Sequence, residues 1–242
     1  MSRKALCAAV AIAAVAAPTA YAAVKDQGID GAVSPTDAGT RTKPRNVTMT
    51  VTLTTPAPPA GKQFATDEAK ISLPRGMRFN GSKFASCTAA RLQDMGPSGC
   101  PAGSKVGSGS ADAYALDGRI RQTLTVTAFN AAKGRKLLLL VRGTSPVQIN
   151  SVIEATLKPT TSASYGYILD VKLPANLKSI AGAQPTLTKF VTRIRATKLV
   201  SGRKLGYVQS TSCPRGGWKF KADLRFTDGD TGVATDKVTC TR

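Results

Sequence analysis

The chain has 242 residues, 34 of them Lys or Arg and 14 Asp or Glu, and its formal net charge at pH 7 is +20. It contains no histidine, which excludes a Ser-His-Asp triad, a Cys-His dyad and a zinc site with histidine ligands. Aromatic residues make up only 5% of the chain, so few side chains are available to stack on nucleic-acid bases.

The first 22 residues have the pattern of a secretory signal peptide. Arg3 and Lys4 precede an apolar run over 5–17, and Ala20-Tyr21-Ala22 supplies small residues at a cleavage position. The run is shorter than the roughly 20 apolar residues that cross a bilayer. Removing residues 1–22 and their two positive charges leaves 220 residues with a net charge of +18. We expect a secreted or extracytoplasmic protein, held at a cell surface only by non-covalent contacts and without a transmembrane segment after cleavage.

Residues 23–45 are polar, contain Gly, Pro, Asp and Thr, and show no periodicity. Because such a segment buries little apolar surface, it is predicted to be a flexible N-terminal arm. The folded domain is predicted to span 46–242. It begins with a strand over 46–55, where Val, Met and Leu alternate with threonines, a pattern typical of a half-buried strand.

Strand patterns recur along the rest of the chain, and Gly or Pro separates most of them. These predicted strands cover residues 69–73, 120–129, 137–141, 147–157, 165–173, 190–199, 205–211, 218–226 and 233–240. Residues 137–141 are continuously apolar, as in a strand buried on both faces. Residues 86–95 are the best helical candidate, and the Gly-Ser-Gly-Ser sequence at 107–110 is predicted to be a flexible connector. The pattern predicts an all-β fold, an antiparallel β-sandwich.

The sandwich would consist of one large or two small β-units. Ile71-Ser72-Leu73-Pro74 resembles Val171-Lys172-Leu173-Pro174, and Cys100-Pro101 resembles Cys213-Pro214. A duplication would split the domain near residue 145. Matches this short arise by chance, and single all-β domains of roughly 200 residues are common, so one unit is favoured.

Four cysteines remain after the predicted signal peptide: Cys87, Cys100, Cys213 and Cys240. An even number in an oxidising compartment predicts two disulfides. Three pairings are open, and local spacing favours Cys87–Cys100 and Cys213–Cys240. The second bond would close one end of a hairpin formed by 218–226 and 233–240. A four-thiolate zinc site is disfavoured because such sites use closely spaced Cys-x-x-Cys pairs.

Two of these cysteines lie in Cys-Pro elements. Their sequences are Cys100-Pro101-Ala102-Gly103-Ser104-Lys105-Val106-Gly107 and Ser212-Cys213-Pro214-Arg215-Gly216-Gly217-Trp218. Both resemble elements of uncharacterised secreted β-rich proteins of high-GC actinobacteria. The resemblance implies secretion and a disulfide-bearing β-fold, and it implies no activity.

Catalytic motifs are weak, which favours a non-enzymatic protein. Ser201-Gly202-Arg203-Lys204 matches a Ser-x-x-Lys pattern in which the lysine could activate the serine, but it lies at a predicted turn. A glycosidase needs two carboxylates flanking the scissile bond, and Glu68 and Glu154 are the only glutamates. A secreted hydrolase using carboxylates or a Ser/Lys pair is the alternative.

No metal site and no cofactor are predicted. Asp228, Asp230 and Asp236 could offer oxygen ligands to Ca²⁺. Their loop lacks the terminal glutamate of an EF-hand, and its Asp-Gly pair is typical of a tight hairpin turn.

Basic residues alternate along three of the predicted strands. The candidate anion-binding residues are Arg119, Arg121, Arg193, Arg195, Lys219, Lys221 and Arg225. If these strands share a sheet, their polar faces would form one positive surface; otherwise they are separate solvated faces. Further basic residues cluster in predicted loops at 133–136 and 203–204.

These features predict a secreted, strongly basic protein that binds acidic cell-envelope polymers or other anionic extracellular surfaces by salt-dependent electrostatics. A structural module of a surface assembly, in which the charge serves only solubility, is the second alternative. Nucleic acid is a disfavoured partner because of the predicted location, although Lys and Arg alone can neutralise phosphates.

Overall fold

The structure is a computed structural model and describes residues 27–57, 64–116, 118–180 and 182–242. The predicted signal peptide, residues 1–22, lies outside the described residues. Strand accounts for 57% of the structure and helix for 10%, which confirms the all-β prediction. None of the helices in the described part of the chain is long and apolar enough to span a membrane.

Sixteen strands and two short helices are described, with three single turns of 3₁₀-helix between them. The strands are β1 (Gly28–Ser34), β2 (Arg45–Asn46), β3 (Thr48–Thr54), β4 (Thr66–Pro74), β5 (Met77–Phe79), β6 (Lys105–Ala115), β7 (Ile120–Ala131), β8 (Lys136–Gly143), β9 (Ile149–Pro159), β10 (Tyr165–Lys172), β11 (Thr186–Ile194), β12 (Thr197–Val200), β13 (Arg203–Gly206), β14 (Val208–Ser210), β15 (Trp218–Phe226) and β16 (Thr231–Val238). The helices are α1 (Ala89–Met95) and α2 (Ala175–Lys178), and the 3₁₀ turns are Gly81–Lys83, Gly96–Gly99 and Ala132–Gly134.

Eleven strands form one antiparallel sheet in the order β1-β3-β11-β6-β7-β8-β9-β10-β4-β15-β16. The sheet curls until its two edges meet, where the Gly31 N–H donates to Asp236 Oδ2 (2.8 Å). Beyond the strands, the Ala38 N–H donates to the Thr241 carbonyl (2.9 Å). The result is a nearly closed, barrel-like sandwich, which confirms the predicted antiparallel architecture. Strands β8 and β9 flank residue 145 and pair along their length, so one continuous sheet runs through that position.

The sandwich has two ends, which we name by their covering elements. The hairpin end carries the two-stranded sheet β12-β13 and the small sheet β2-β14-β5. The α2 end carries helix α2 and the turn between β15 and β16. Between them the inner face is apolar, and Trp218, Phe220 and Phe226 on β15 are almost fully buried.

Helix α1 covers part of the outer surface. Thr88 caps its first turn by accepting a hydrogen bond from the Arg91 N–H (3.3 Å). Leu92 is fully buried against Leu138 and Leu140, which point outward from β8. The two-sided burial of β8 explains its continuous apolar sequence and confirms that prediction, as α1 confirms the helical candidate.

Both disulfides join the cysteines that spacing favoured. Cys87–Cys100 has a Cα–Cα distance of 5.2 Å, and Cys213–Cys240 has one of 5.8 Å. The predicted hairpin of β15 and β16 forms with Trp218 opposite Val238, so the second disulfide closes its open end as expected. Two disulfides are compatible with an extracytoplasmic protein.

Two flexible segments were predicted where the described chain forms strands. Strand β1 lies within the predicted arm 23–45 and buries Ile29 and Val33, so the prediction is wrong for that part. A Cβ on Gly31 would overlap the Phe220 ring of β15. The glycine in this polar sequence therefore allows an edge strand to pack closely against β15. The 107–110 connector is also wrong, because it lies inside β6 at the centre of the sheet.

Two predicted strands are each divided. Within 190–199, β11 ends and β12 begins around Arg195 and Ala196, whose N–H groups both donate to the Val106 carbonyl (3.1 and 3.2 Å). Within 205–211, Tyr207 separates β13 from β14, and its N–H donates to the Ala196 carbonyl (2.8 Å). These bonds direct the chain out of the main sheet and into the hairpin of β12 and β13.

Candidate anion-binding surface

Four of the predicted anion-binding residues are arginines on β7 and β11, two strands that lie close together in the sheet. The two pairs lie near opposite ends of the sandwich. Arg119 and Arg121 are at the start of β7, toward the α2 end, whereas Arg193 and Arg195 are at the close of β11, toward the hairpin end. Strand β6 lies between β7 and β11. Its Tyr114 is paired with Arg121 of β7, and its Ser108 is paired with Arg193 of β11. This offset of six residues corresponds to about 20 Å along a strand, so the structure does not bring the two pairs together.

The basic residues of β15 occupy a third part of the sheet and are largely matched by carboxylates. Arg225 Nη2 contacts Asp67 Oδ2 (2.7 Å) and Glu68 Oε2 (3.0 Å), and Lys221 Nζ contacts Asp223 Oδ1 (2.7 Å). Strands β16, β1 and β3 separate β15 from β11. The seven predicted residues therefore occupy separate strand faces rather than one surface.

Charge is unevenly distributed along the sandwich. Residues 171–222 contain eleven Lys or Arg and no Asp or Glu, and this run includes the whole of β11 to β14. The half nearer the α2 end carries eight of the twelve described carboxylates: Asp30, Asp67, Glu68, Asp112, Asp170, Asp223, Asp228 and Asp230. A hydrogen bond from Lys178 (2.9 Å), supported by the charge of Arg225, lowers the pKa of Asp67. Positive charge at this end is therefore partly compensated.

The hairpin of β12 and β13 concentrates basic residues at the other end. Its two-residue turn, Ser201-Gly202, has positive φ angles of 48° and 74°, and the exposed Lys198, Arg203 and Lys204 lie on its strands. Asn46 Nδ2 donates to the Lys204 carbonyl (2.9 Å). Lys198 Nζ donates to the Lys83 carbonyl (2.5 Å), so the hairpin lies over the turn that carries Lys83.

A second basic turn lies against the first. The Cα of Gly134 lies so close to Gly81 that a Cβ on either glycine would overlap the other residue. The Lys133 N–H also donates to Ser86 Oγ (3.2 Å). We define the basic cluster as the six exposed residues that these contacts bring to the hairpin end: Lys83, Lys133, Arg135, Lys198, Arg203 and Lys204.

No member of the basic cluster forms an ion pair with a carboxylate in the described ranges 27–57, 64–116, 118–180 and 182–242. Two of the remaining carboxylates have other partners: Asp37 pairs with Arg45, and Glu154 pairs with Lys136 (2.6 Å). The positive charge of the cluster is therefore not neutralised by a carboxylate of these ranges.

A buried polar network holds the segments of the basic cluster together. The Tyr207 hydroxyl donates to Asn130 Oδ1 (3.0 Å), and Asn130 Nδ2 donates to the carbonyls of Gly81 (2.9 Å) and Ala85 (3.0 Å). Tyr207 and Asn130 are fully buried, and burial raises the pKa of Tyr207 well above its ordinary value. The network joins β7, the 81–85 segment and the chain after β13, so it fixes the spacing of the basic turns.

The sequence identified part of this cluster. The loop groups at 133–136 and 203–204 supply Lys133, Arg135, Arg203 and Lys204, but their proximity was not predicted. Asn130 and Tyr207 are 77 positions apart, and neither lies in a pattern that indicates a shared network. Lys83 has no basic neighbour within four residues in the sequence, and only the contact with Lys198 shows that it belongs to the cluster.

The residues considered for catalysis or metal binding have structural partners. Ser201 forms the exposed tip of the β12–β13 turn, while Asp236 accepts the hydrogen bond from β1 that joins the sheet edges. Among the residues that the structure describes, no group of three or more His, Cys, Asp or Glu could hold a metal ion. No family model, curated protein or solved structure matches the chain.

Proposed function

We propose that this is a secreted protein, associated with the cell surface, whose basic cluster binds acidic cell-envelope polymers or other anionic extracellular surfaces. The observation that carries the proposal is the group of six exposed, basic residues without ion pairs at one end of a sandwich whose carboxylates lie mostly toward the other. The proposed location rests on the signal-peptide pattern of residues 1–22 and is compatible with the two disulfides.

Binding would be the sum of several weak contacts. A solvent-exposed ion pair contributes about 0–1 kcal/mol, so one lysine would hold little. Six basic side chains on a scaffold fixed by the Asn130–Tyr207 network can act together, because the backbone that carries them needs no reordering on binding. A repeating polyanion presents several charges in turn, which matches an extended surface better than a single small anion does.

Salt-dependent retention tests this proposal. The mature chain is applied to polyphosphate and polygalacturonate resins and to vesicles with anionic lipid, so that phosphate, carboxylate and membrane sources are compared. Between about 0.05 and 0.5 M salt the Debye length shrinks about threefold, and retention should fall steeply over that range. Retention that is insensitive to salt would refute an electrostatic mechanism. Failure to bind any of the three at low salt would favour a structural module whose charge serves solubility.

A further inference from the structure

We propose that the interior of the sandwich is a second binding site, which takes one unbranched alkyl chain carrying a neutral polar group. This goes beyond the proposed function and uses a different region. The sheet surrounds an apolar cavity of about 140 Å³ that is partly open to solvent. Folded proteins pack closely and have few voids larger than a water molecule, and an apolar cavity of this size stays dry and admits apolar molecules.

The shape of the cavity favours a chain over a ring system. Its lining extends along β3 from Met49 to Thr55 and along β11 from Leu187 to Ile194, and six residues of a strand cover about 20 Å. An extended alkyl chain aligned with these strands would contact apolar side chains over that length. The length of the apolar lining is therefore the reason for proposing a chain rather than a compact ring system.

The sequence of β6 creates this space. Ala111 and Ala113 point inward from its central part, whereas other lining residues, such as Ile153 on β9, are larger. Alanine side chains there leave a gap that leucine or phenylalanine would fill. Small side chains at specific positions of β6 therefore contribute to the cavity.

One polar atom in the lining lacks a partner. Thr192 Oγ1 is buried and has no hydrogen-bond partner among the residues that the structure describes. A buried hydroxyl without a partner is unfavourable, and a hydroxyl or carbonyl oxygen on a ligand would satisfy it. Because none of the described residues that line the cavity carries a charged side chain, an ionised group would be desolvated without compensation. The polar group of the ligand is therefore neutral.

A chain-length series of 1-alkanols, from hexanol to tetradecanol, tests this site by calorimetry on the mature protein. Each added methylene should tighten binding about fourfold, until the chain fills the cavity and the gain stops. Affinity that keeps rising along the series would indicate partition onto a surface and overturn the proposal, as would no binding. The affinity should be the same at low and high salt, which separates this site from the basic cluster.

Two variants locate the site. Ala111→Phe fills the cavity and should weaken decanol binding at least tenfold while the melting temperature is retained. Val233→Phe, on an exposed position of β16, is the control and should bind decanol as the native chain does.

Thr192→Val removes the hydroxyl and should abolish a preference of about tenfold for decanol over decane. Equal binding by Ala111→Phe and the control, or equal affinity of the native chain for decanol and decane, would overturn the proposal.

Discussion

At the residue scale, the hydrogen bond between Tyr207 and Asn130 connects stability with the arrangement of the basic cluster. Both side chains are fully buried, so the tyrosine hydroxyl is not in contact with solvent. Ionising it in the folded state would place a negative charge beside the acceptor oxygen of Asn130 (3.0 Å). Burial therefore raises the pKa of Tyr207, and the network depends on the protonated form.

Tyr207 should make the protein sensitive to alkali. In the unfolded chain tyrosine ionises near pH 10, whereas folded Tyr207 keeps its proton to higher pH. The stabilisation is thus fully present below about pH 10 and is lost above it, by about 1.4 kcal/mol per pH unit. Urea unfolding from pH 9 upward should show a shallower decline for Tyr207→Phe than for the native chain.

The same variant has a cost at neutral pH. Removing the hydroxyl leaves Asn130 Oδ1 buried without its donor, which should lower the free energy of unfolding by about 1–3 kcal/mol. Tyr165→Phe, on a partly exposed residue of β10, is the matched control. Parallel pH curves for the native chain and Tyr207→Phe would contradict the assignment of the alkaline effect to Tyr207.

At the scale of elements, α1 and its disulfide form a separate unit on the outside of β8. The core beneath α1 consists of a few residues, among them Leu92, Phe129 and Leu138. It does not share the large interior that β15 and β16 complete. The two disulfides therefore hold different parts of the molecule.

Removing Cys87–Cys100 should unfold this unit locally. A loop of this length contributes about 3 kcal/mol in the chain-entropy model, so in Cys87→Ser/Cys100→Ser the amides of α1 should exchange faster while those of β15 stay protected. Hydrogen exchange measures both. Cys213→Ser/Cys240→Ser is the comparison, in which β15 and β16 lose protection. Loss of protection across the main sheet in the first variant would contradict the separation.

The elements also show what the sequence could predict. The β15–β16 hairpin was predicted because its apolar alternation and Asp-Gly turn act locally, and β8 because burial on both faces requires a continuous apolar run. Strand β6 was missed because its centre is Gly and Ser, which carry no apolar signal. At Gly109 a Cβ would overlap the Val191 carbonyl, so the glycine serves close strand contact, and only the paired strand reveals this.

At the scale of the whole molecule, the position of charge is expected to matter more than its amount. The predicted residues on the strands and the basic cluster carry the same kind of charge, but contacts between distant segments bring only the cluster together. This distinction could not be predicted from the sequence, because the segments bearing Lys83, Lys133 and Lys198 become neighbours only through tertiary contacts.

Two triple variants with equal net charge separate these contributions. Lys133→Gln/Arg203→Gln/Lys204→Gln removes three charges from the cluster and should weaken polyphosphate binding by roughly tenfold, about 0.5 kcal/mol per contact. Arg119→Gln/Arg121→Gln/Arg193→Gln removes three charges from separate strand faces and should change binding less than twofold. Binding at low salt, with melting temperatures as a check of folding, measures the difference. An equal loss in both would assign binding to net charge and not to the cluster.

The strand order has a consequence for how the chain acquires its fold. Strand β4 pairs between β10 and β15, and β3 pairs with β11 as well as with β1, so much of the first third of the chain completes its pairing only with the last third. Sheets dominated by such distant pairings form slowly. A chain delivered across a membrane from its N-terminus would stay incompletely folded until β15 and β16 had followed. In a chain exported in this way, the topology would delay assembly of the core until the last strands had crossed the membrane.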